Sequence, residues 1–245
     1  MRSFKRQDFI ILALETVVAL LLIFGYRKIL TREIATWSRN VESGVSEAKG
    51  EPKEEPKDQN EEKKIAITFD DGPHPVYTEK LLDGLKERNV KATFFVLGEK
   101  AKQHPEIIER MQKEGHIIGN HTYTHIQLRS MNREKFRDEL IMTNQVISGI
   151  TGQEVQYVRP PYGTWDKKLE EELNMFPVLW NVDPNDWCTG NADRVTKRIV
   201  DKTRENSIIL LHDCYQSSVD AALSSIDILE ERGFQFVTVE EILFE

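Results

Sequence analysis

Cysteine is scarce in this chain, with two residues in 245. Two cysteines cannot staple a small scaffold, so the fold must rest on an apolar core. Positive charge is in deficit: 33 Lys and Arg stand against 41 Asp and Glu, a formal net charge of −8. Nucleic acid as a partner is disfavoured, because phosphate binding needs a basic face. The same charge suits an ordinary soluble domain. No internal repeat divides the sequence. Long apolar runs are also missing, with one exception at residues 9–26, which approaches the roughly 20 residues that cross a bilayer.

That run is preceded by Arg2, Lys5 and Arg6 and interrupted by Glu15. No small-x-small cleavage site follows it, so a retained signal anchor is expected rather than a removed signal peptide. Arg27, Lys28 and Arg32 follow, so the charge asymmetry does not orient the segment by itself. The expected order is a cytoplasmic tail at 1–8, a transmembrane helix at 9–26, and a stalk and disordered linker at 27–63. Residues 46–64 are charged and contain proline, and cannot bury enough apolar surface to fold.

From residue 64 to 245 the pattern changes. Short apolar runs at 65–69, 91–97, 116–119, 154–158, 176–182, 207–211 and 234–239 read as strands. Helix-like stretches at 76–88, 99–114, 132–150, 166–174, 191–205 and 217–232 alternate with them. Such alternation predicts βαβ crossovers and a parallel sheet. The domain of roughly 180 residues is long enough for a sizeable core. An open doubly wound sheet lacks support, since no Gly-rich phosphate-binding turn follows the first strand.

Five polar clusters sit at the ends of these strands. They are Thr68-Phe69-Asp70-Asp71-Gly72-Pro73, His121-Thr122-Tyr123-Thr124-His125, Arg159-Pro160-Pro161-Tyr162-Gly163, Asp183-Pro184-Asn185-Asp186-Trp187 and Leu210-Leu211-His212-Asp213. Catalytic groups at the C-terminal ends of successive strands are a β/α-barrel arrangement. Neighbouring side chains on a strand diverge, and Gly72-Pro73 breaks the strand so that Asp70 and Asp71 can both face a cleft. His121 and His125 are spaced to share one face of a helical turn and grip one metal. Two His and one carboxylate leave coordination positions open, as a catalytic site requires. Zinc is the first expectation, with cobalt, manganese or iron also suited. The prolines after Arg159 stiffen the backbone, which makes the Tyr162 amide a candidate oxyanion donor.

Together, and in this order, the clusters resemble the NodB-like polysaccharide deacetylases, carbohydrate esterase family four. The resemblance covers residues 64–245 and implies a distorted (β/α)7 barrel, for which seven strands is the fitting count. It implies Asp71 as a metal ligand beside His121 and His125, Asp70 as general base, and Arg159 as the residue that orients Asp70. It further implies that Asp186 pairs with His212, the general acid, and that Trp187 and Leu210 line a pocket for an acetyl methyl group. Asp183 is expected to hold its loop. His74, His104 and His116 receive no catalytic role.

The activity implied is metal-dependent N-deacetylation of N-acetylglucosamine units. The tether suits a polymer fixed outside the cell, so the expected substrate is peptidoglycan and the expected location a single-pass membrane protein with an extracytoplasmic domain. Chitooligosaccharide, poly-N-acetylglucosamine, an O-acetyl ester and a non-catalytic glycan-binding role are the alternatives. A metal phosphoesterase would need ligands for a second metal, which the clusters do not offer. No protein partner is evident. Cys188 and Cys214 each lie two residues beyond a member of the Asp186–His212 pair, so their loops should be neighbours; a disulfide that an oxidising compartment would preserve and two free thiols near the rim are the alternatives.

Overall fold

The computed structural model describes residues 63–128 and 133–244. The expected anchor, stalk and most of the linker lie outside them. Among the described residues no helix is long and apolar enough to cross a membrane.

The first strand, β1 (Lys63–Asp70), is buried on both faces from Ile65 onward, as a parallel strand covered on both sides must be. Then come α1 (Tyr77–Glu87), β2 (Thr93–Val96), α2 (Gly98–Gln103), α3 (Pro105–Lys113), β3 (Ile117–Asn120) and α4 (Arg133–Thr151). The second half holds β4 (Tyr157–Val158), α5 (Lys167–Leu173), β5 (Phe176–Pro177), α6 (Ala192–Lys202), β6 (Ile208–His212), α7 (Gln216–Glu231), β7 (Phe234–Val237) and α8 (Val239–Phe244). All pairings are parallel, in the order β5-β4-β3-β2-β1-β6.

The architecture is an α/β half-barrel, and it departs from a ring of seven equal staves. Ala66 pairs with both Ile208 of β6 and Val237 of β7. β7 therefore lies beside the N-terminal half of β1, on the edge that β2 occupies further along. The predicted strand at 176–182 is divided. Its start pairs with β4, and Asn181 and Val182 then donate to Ile208 O of β6. The predicted helix at 99–114 is two helices. Pro105 disfavours a helical residue before it, and His104 sits at φ −130°, ψ 59°.

Alternation along β1 sorts its side chains. Ile65, Ile67 and Phe69 join the cluster beneath the helices, with Phe94, Phe136 and Leu211. Ala66 joins Phe95, Tyr157, Val178, Ile208 and Val239 in a second cluster. Thr68 and Asp70 continue that second face. Each large apolar side chain buried this way contributes roughly 1.5–3 kcal/mol.

Candidate active site

Arg159 lies above the second cluster and is fully buried. Its guanidinium stacks 4.2 Å from the Phe95 ring centroid and 5.6 Å from that of Trp180. Nη1 donates to Thr68 Oγ1 at 2.6 Å and to Asp70 Oδ1 at 2.8 Å, and Nε donates to Val178 O at 3.0 Å. A buried charge requires this degree of pairing. Asp70 is thereby oriented, with Oδ2 3.7 Å from His121 Nε2.

Asp71 leaves the strand in the left-handed region, at φ 70°. The break turns both carboxylates into one cleft, as the Gly72-Pro73 sequence suggests. Its Oδ1 lies 3.4 Å from His121 Nε2 and 3.4 Å from His125 Nε2. Burial would raise its pKa, but the three neighbouring imidazoles of His121, His125 and His212 outweigh it and lower it to about 2.

The two histidines do not share a helical turn, contrary to the spacing argument. They lie in the loop after β3, with Thr122 and His125 at φ 68° and 60°. Asn120 Oδ1 accepts from Thr122 N at 2.7 Å, and the buried Glu139 of α4 accepts from Thr124 N at 2.6 Å. His121 Nδ1 donates to Arg159 O at 2.6 Å, since a carbonyl only accepts. That fixes the tautomer and leaves Nε2 free to ligate. Burial lowers the His125 pKa, which favours the neutral ligating form.

These atoms fit a metal. The ligand atoms of Asp71, His121 and His125 all lie within 4.8 Å of one another. Bonds of 2.0–2.1 Å to a tetrahedral ion place its donors about 3.3 Å apart. Asp71 Oδ1 is also buried without a hydrogen-bond partner.

Opposite the triad stands His212, the register partner of Asp70 across β1 and β6. Its Nδ1 is 2.9 Å from Asp186 Oδ1, and its backbone N donates to Asp186 Oδ2 at 2.9 Å. Ser218 Oγ of α7 donates to the same oxygen at 2.6 Å. No strand-end motif points to Ser218.

A cleft of ≈ 410 Å³ joins Asp70, Asp71, His121, His125 and His212 with Tyr162, Trp180, Asp183, Trp187, Leu210 and Tyr215. Trp187 is exposed and Leu210 buried. Tyr162 is held at φ 61°, its ring edge-on to His125 at 5.2 Å. Trp180 and Tyr215 lie outside the residues read from sequence. Asp183 holds its loop as expected, accepting from Asn185 N at 2.8 Å. The other histidines are structural. His74 Nδ1 accepts from Val76 N and Tyr77 N, His116 Nδ1 accepts from Ala92 N, and His104 faces Glu106.

Of the two alternatives for the cysteines, the disulfide is not formed. Both cysteines are free. Cys188 is exposed and donates to Asn185 O at 3.1 Å, whereas Cys214 turns inward to Asp71 O at 3.4 Å. Neighbouring loops do not bring the two sulfurs together, because each thiol faces a different carbonyl.

The half-barrel and this cleft define a class: an α/β protein with a metal-ready triad between a buried carboxylate and an imidazole, both placed for proton transfer. The polysaccharide deacetylase family profile matches residues 57–178. The chain is 41% identical over 182 residues to the peptidoglycan-N-acetylglucosamine deacetylase of Bacillus cereus, covering 71% of this chain and 66% of the relative. It is 40% identical over 191 residues to the peptidoglycan-N-acetylmuramic acid deacetylase PdaC of Bacillus subtilis, covering 78% and 41%. The solved PdaC structure matches with a TM-score of 0.71 at 39% identity, covering 74% of this chain and 90% of that one. A family 4 acetyl xylan esterase from Clostridium thermocellum, solved with a cobalt ion, matches with a TM-score of 0.69 at 34% identity, covering 74% and 90%. The chain belongs to the polysaccharide deacetylase family. It spans 66% and 41% of the length of the two curated relatives.

Proposed function

We propose that this domain removes N-acetyl groups by hydrolysis from N-acetylglucosamine units of peptidoglycan. The observation that carries this reading is the placement of Asp70 and His212 on paired strands beside one metal-ready triad. A divalent ion held by Asp71, His121 and His125, with zinc our choice, would polarise the acetamide carbonyl and a water. Asp70 takes the proton of the attacking water, its carboxylate held by Arg159. The Tyr162 amide donates to the developing oxyanion. His212, kept protonated by Asp186, gives its proton to the leaving amine. Trp187 and Leu210 flank the acetyl methyl. The products are acetate and a glucosamine unit.

The peptidoglycan choice is supported by the relatives from Bacillus. We also propose that residues 9–26 anchor the domain outside the cell membrane, a reading supported by their apolar sequence and by a substrate that lies there. Acetate release should be measured from peptidoglycan, chitooligosaccharides and acetylated xylan. Peptidoglycan should be preferred, with Asp70→Asn inactive. Release from acetylxylan alone would make the enzyme an O-acetyl esterase, and release from none would overturn deacetylation. Protease added to cells with accessible envelopes should free the domain near residues 46–64. Protection of the domain would reverse the topology.

A further inference from the structure

Asp71 is a strained member of the triad. A non-glycine residue at φ 70° persists in that conformation only where its surroundings impose it. What imposes it lies outside the strand-end motifs. Lys100 Nζ, from α2, donates to Asp71 O at 2.8 Å. Cys214 Sγ approaches the same carbonyl at 3.4 Å, and Lys100 Nζ lies 3.5 Å from that sulfur. A thiol is a weak donor, so the ammonium is the strong partner.

The segment that carries Lys100 also grips the histidine loop. Gly98 N and Glu99 N donate to Thr122 O and Tyr123 O at 3.0 and 3.1 Å, between the two histidine ligands. Leu97 N donates to Gly72 O at 2.9 Å. Residues 97–100 thus bond both ligand-bearing loops at once. Beneath the turn, the buried Asp213 fills the space beside Gly72 and accepts from Thr78 Oγ1.

We propose that Lys100 is a positioning residue for the metal site. Its ammonium fixes the Asp71 carbonyl, and so delivers the Asp71 carboxylate to the same point as His121 and His125. The proposal rests on the reading of these three residues as metal ligands. Lys91 supplies a matched control. Its Nζ donates to a backbone carbonyl, Glu114 O, at 2.6 Å, and Glu114 is no part of the site.

The test uses the full chain. Zn²⁺ affinity is measured by competition with a chromophoric chelator at one pH, and the visible spectrum of the Co²⁺-loaded protein is recorded. Removal of an outer-shell partner weakens metal binding by about 10–100-fold, and Lys100→Met should fall in that range with an altered Co²⁺ band. Lys100→Arg, which keeps a charged donor, should recover most of the affinity. Lys91→Met should bind as the wild type does. Metal-free thermal unfolding should move no further for Lys100→Met than for Lys91→Met. If Lys100→Met does not fold, Lys100→Gln takes its place with the same expected loss. Wild-type affinity in the Lys100 variant overturns the proposal, as does an equal loss in Lys91→Met. A wild-type protein that binds no Zn²⁺ overturns the metal site itself.

Discussion

Burial alone would strip the proton from His212. The hydrogen bond and charge of Asp186, with the charges of Asp70 and Asp71, outweigh it and push the pKa from 6.5 up to about 9. An amine leaves well only when protonated, so a histidine that keeps its proton at neutral pH is placed for that task. Losing such a group costs about 10²–10⁴-fold. His212→Ala should lower kcat by that order, with zinc content measured by mass spectrometry unchanged, since His212 is outside the triad. Loss of zinc in the variant would mean the residue holds the metal site together instead. The same pKa sets a stability window. The folded value lies above the unfolded one, so the contribution is complete below pH 6.5 and is lost as pH rises through about 9. Urea melts of the metal-free protein between these limits should show stability falling more steeply with pH in the wild type than in Asp186→Asn. Equal slopes would assign the alkaline loss to other groups. A bound dication would oppose the carboxylates and reduce the effect.

At the scale of elements, the loops that leave β1, β3 and β6 place the chemistry, and each is fixed by packing behind it. The turn at Gly72 is the tightest. A Cβ there would lie 2.3 and 2.4 Å from the two carboxylate oxygens of Asp213. Asp213 is buried and cannot move aside. Gly72→Ala should therefore destabilise the domain by about 1–3 kcal/mol, the usual cost of overpacking. Adding Asp213→Ala removes the obstruction, so the double variant should be more stable than the sum of the two losses predicts. Denaturant midpoints for the four proteins check this, and strict additivity would place the clash elsewhere. The five clusters were legible because proton transfer and metal binding restrict residue types, and because each follows an apolar run. The histidine spacing was legible but its helical interpretation was wrong. Asn120 and Glu139 support a loop with two left-handed residues, and HxxxH alone does not encode that. The break before Pro105 is written in the sequence, because a proline disfavours a helical residue ahead of it. Lys100, Ser218, Trp180 and Tyr215 gave no signal, because each acts across the sequence through contacts that only the closed sheet creates.

At the scale of the molecule, the triad collects its ligands from two loops far apart in the chain, Asp71 after β1 and His121 and His125 after β3. β2 lies between those strands and pairs with both. An ion bound by all three therefore binds the folded domain and not the unfolded chain, where the ligands are scattered. Such a ligand stabilises by RT ln(1 + [L]/Kd), about 2.7 kcal/mol at 100 times Kd. Each kcal/mol moves Tm by about 2–4 °C in a domain of this size. Zinc at that excess should raise the Tm of the metal-free protein by about 5–10 °C, and a chelator should reverse the shift. Magnesium should do much less, because it prefers oxygen donors and keeps its water. His121→Ala combined with His125→Ala should abolish the zinc shift, and the metal-free Tm should fall as well, because the buried bond from His121 to Arg159 O is lost. A zinc shift that survives in the double variant would place the stabilising ion at another site. A wild-type protein without any shift would mean that the folded state does not bring Asp71 and the two histidines together around an ion.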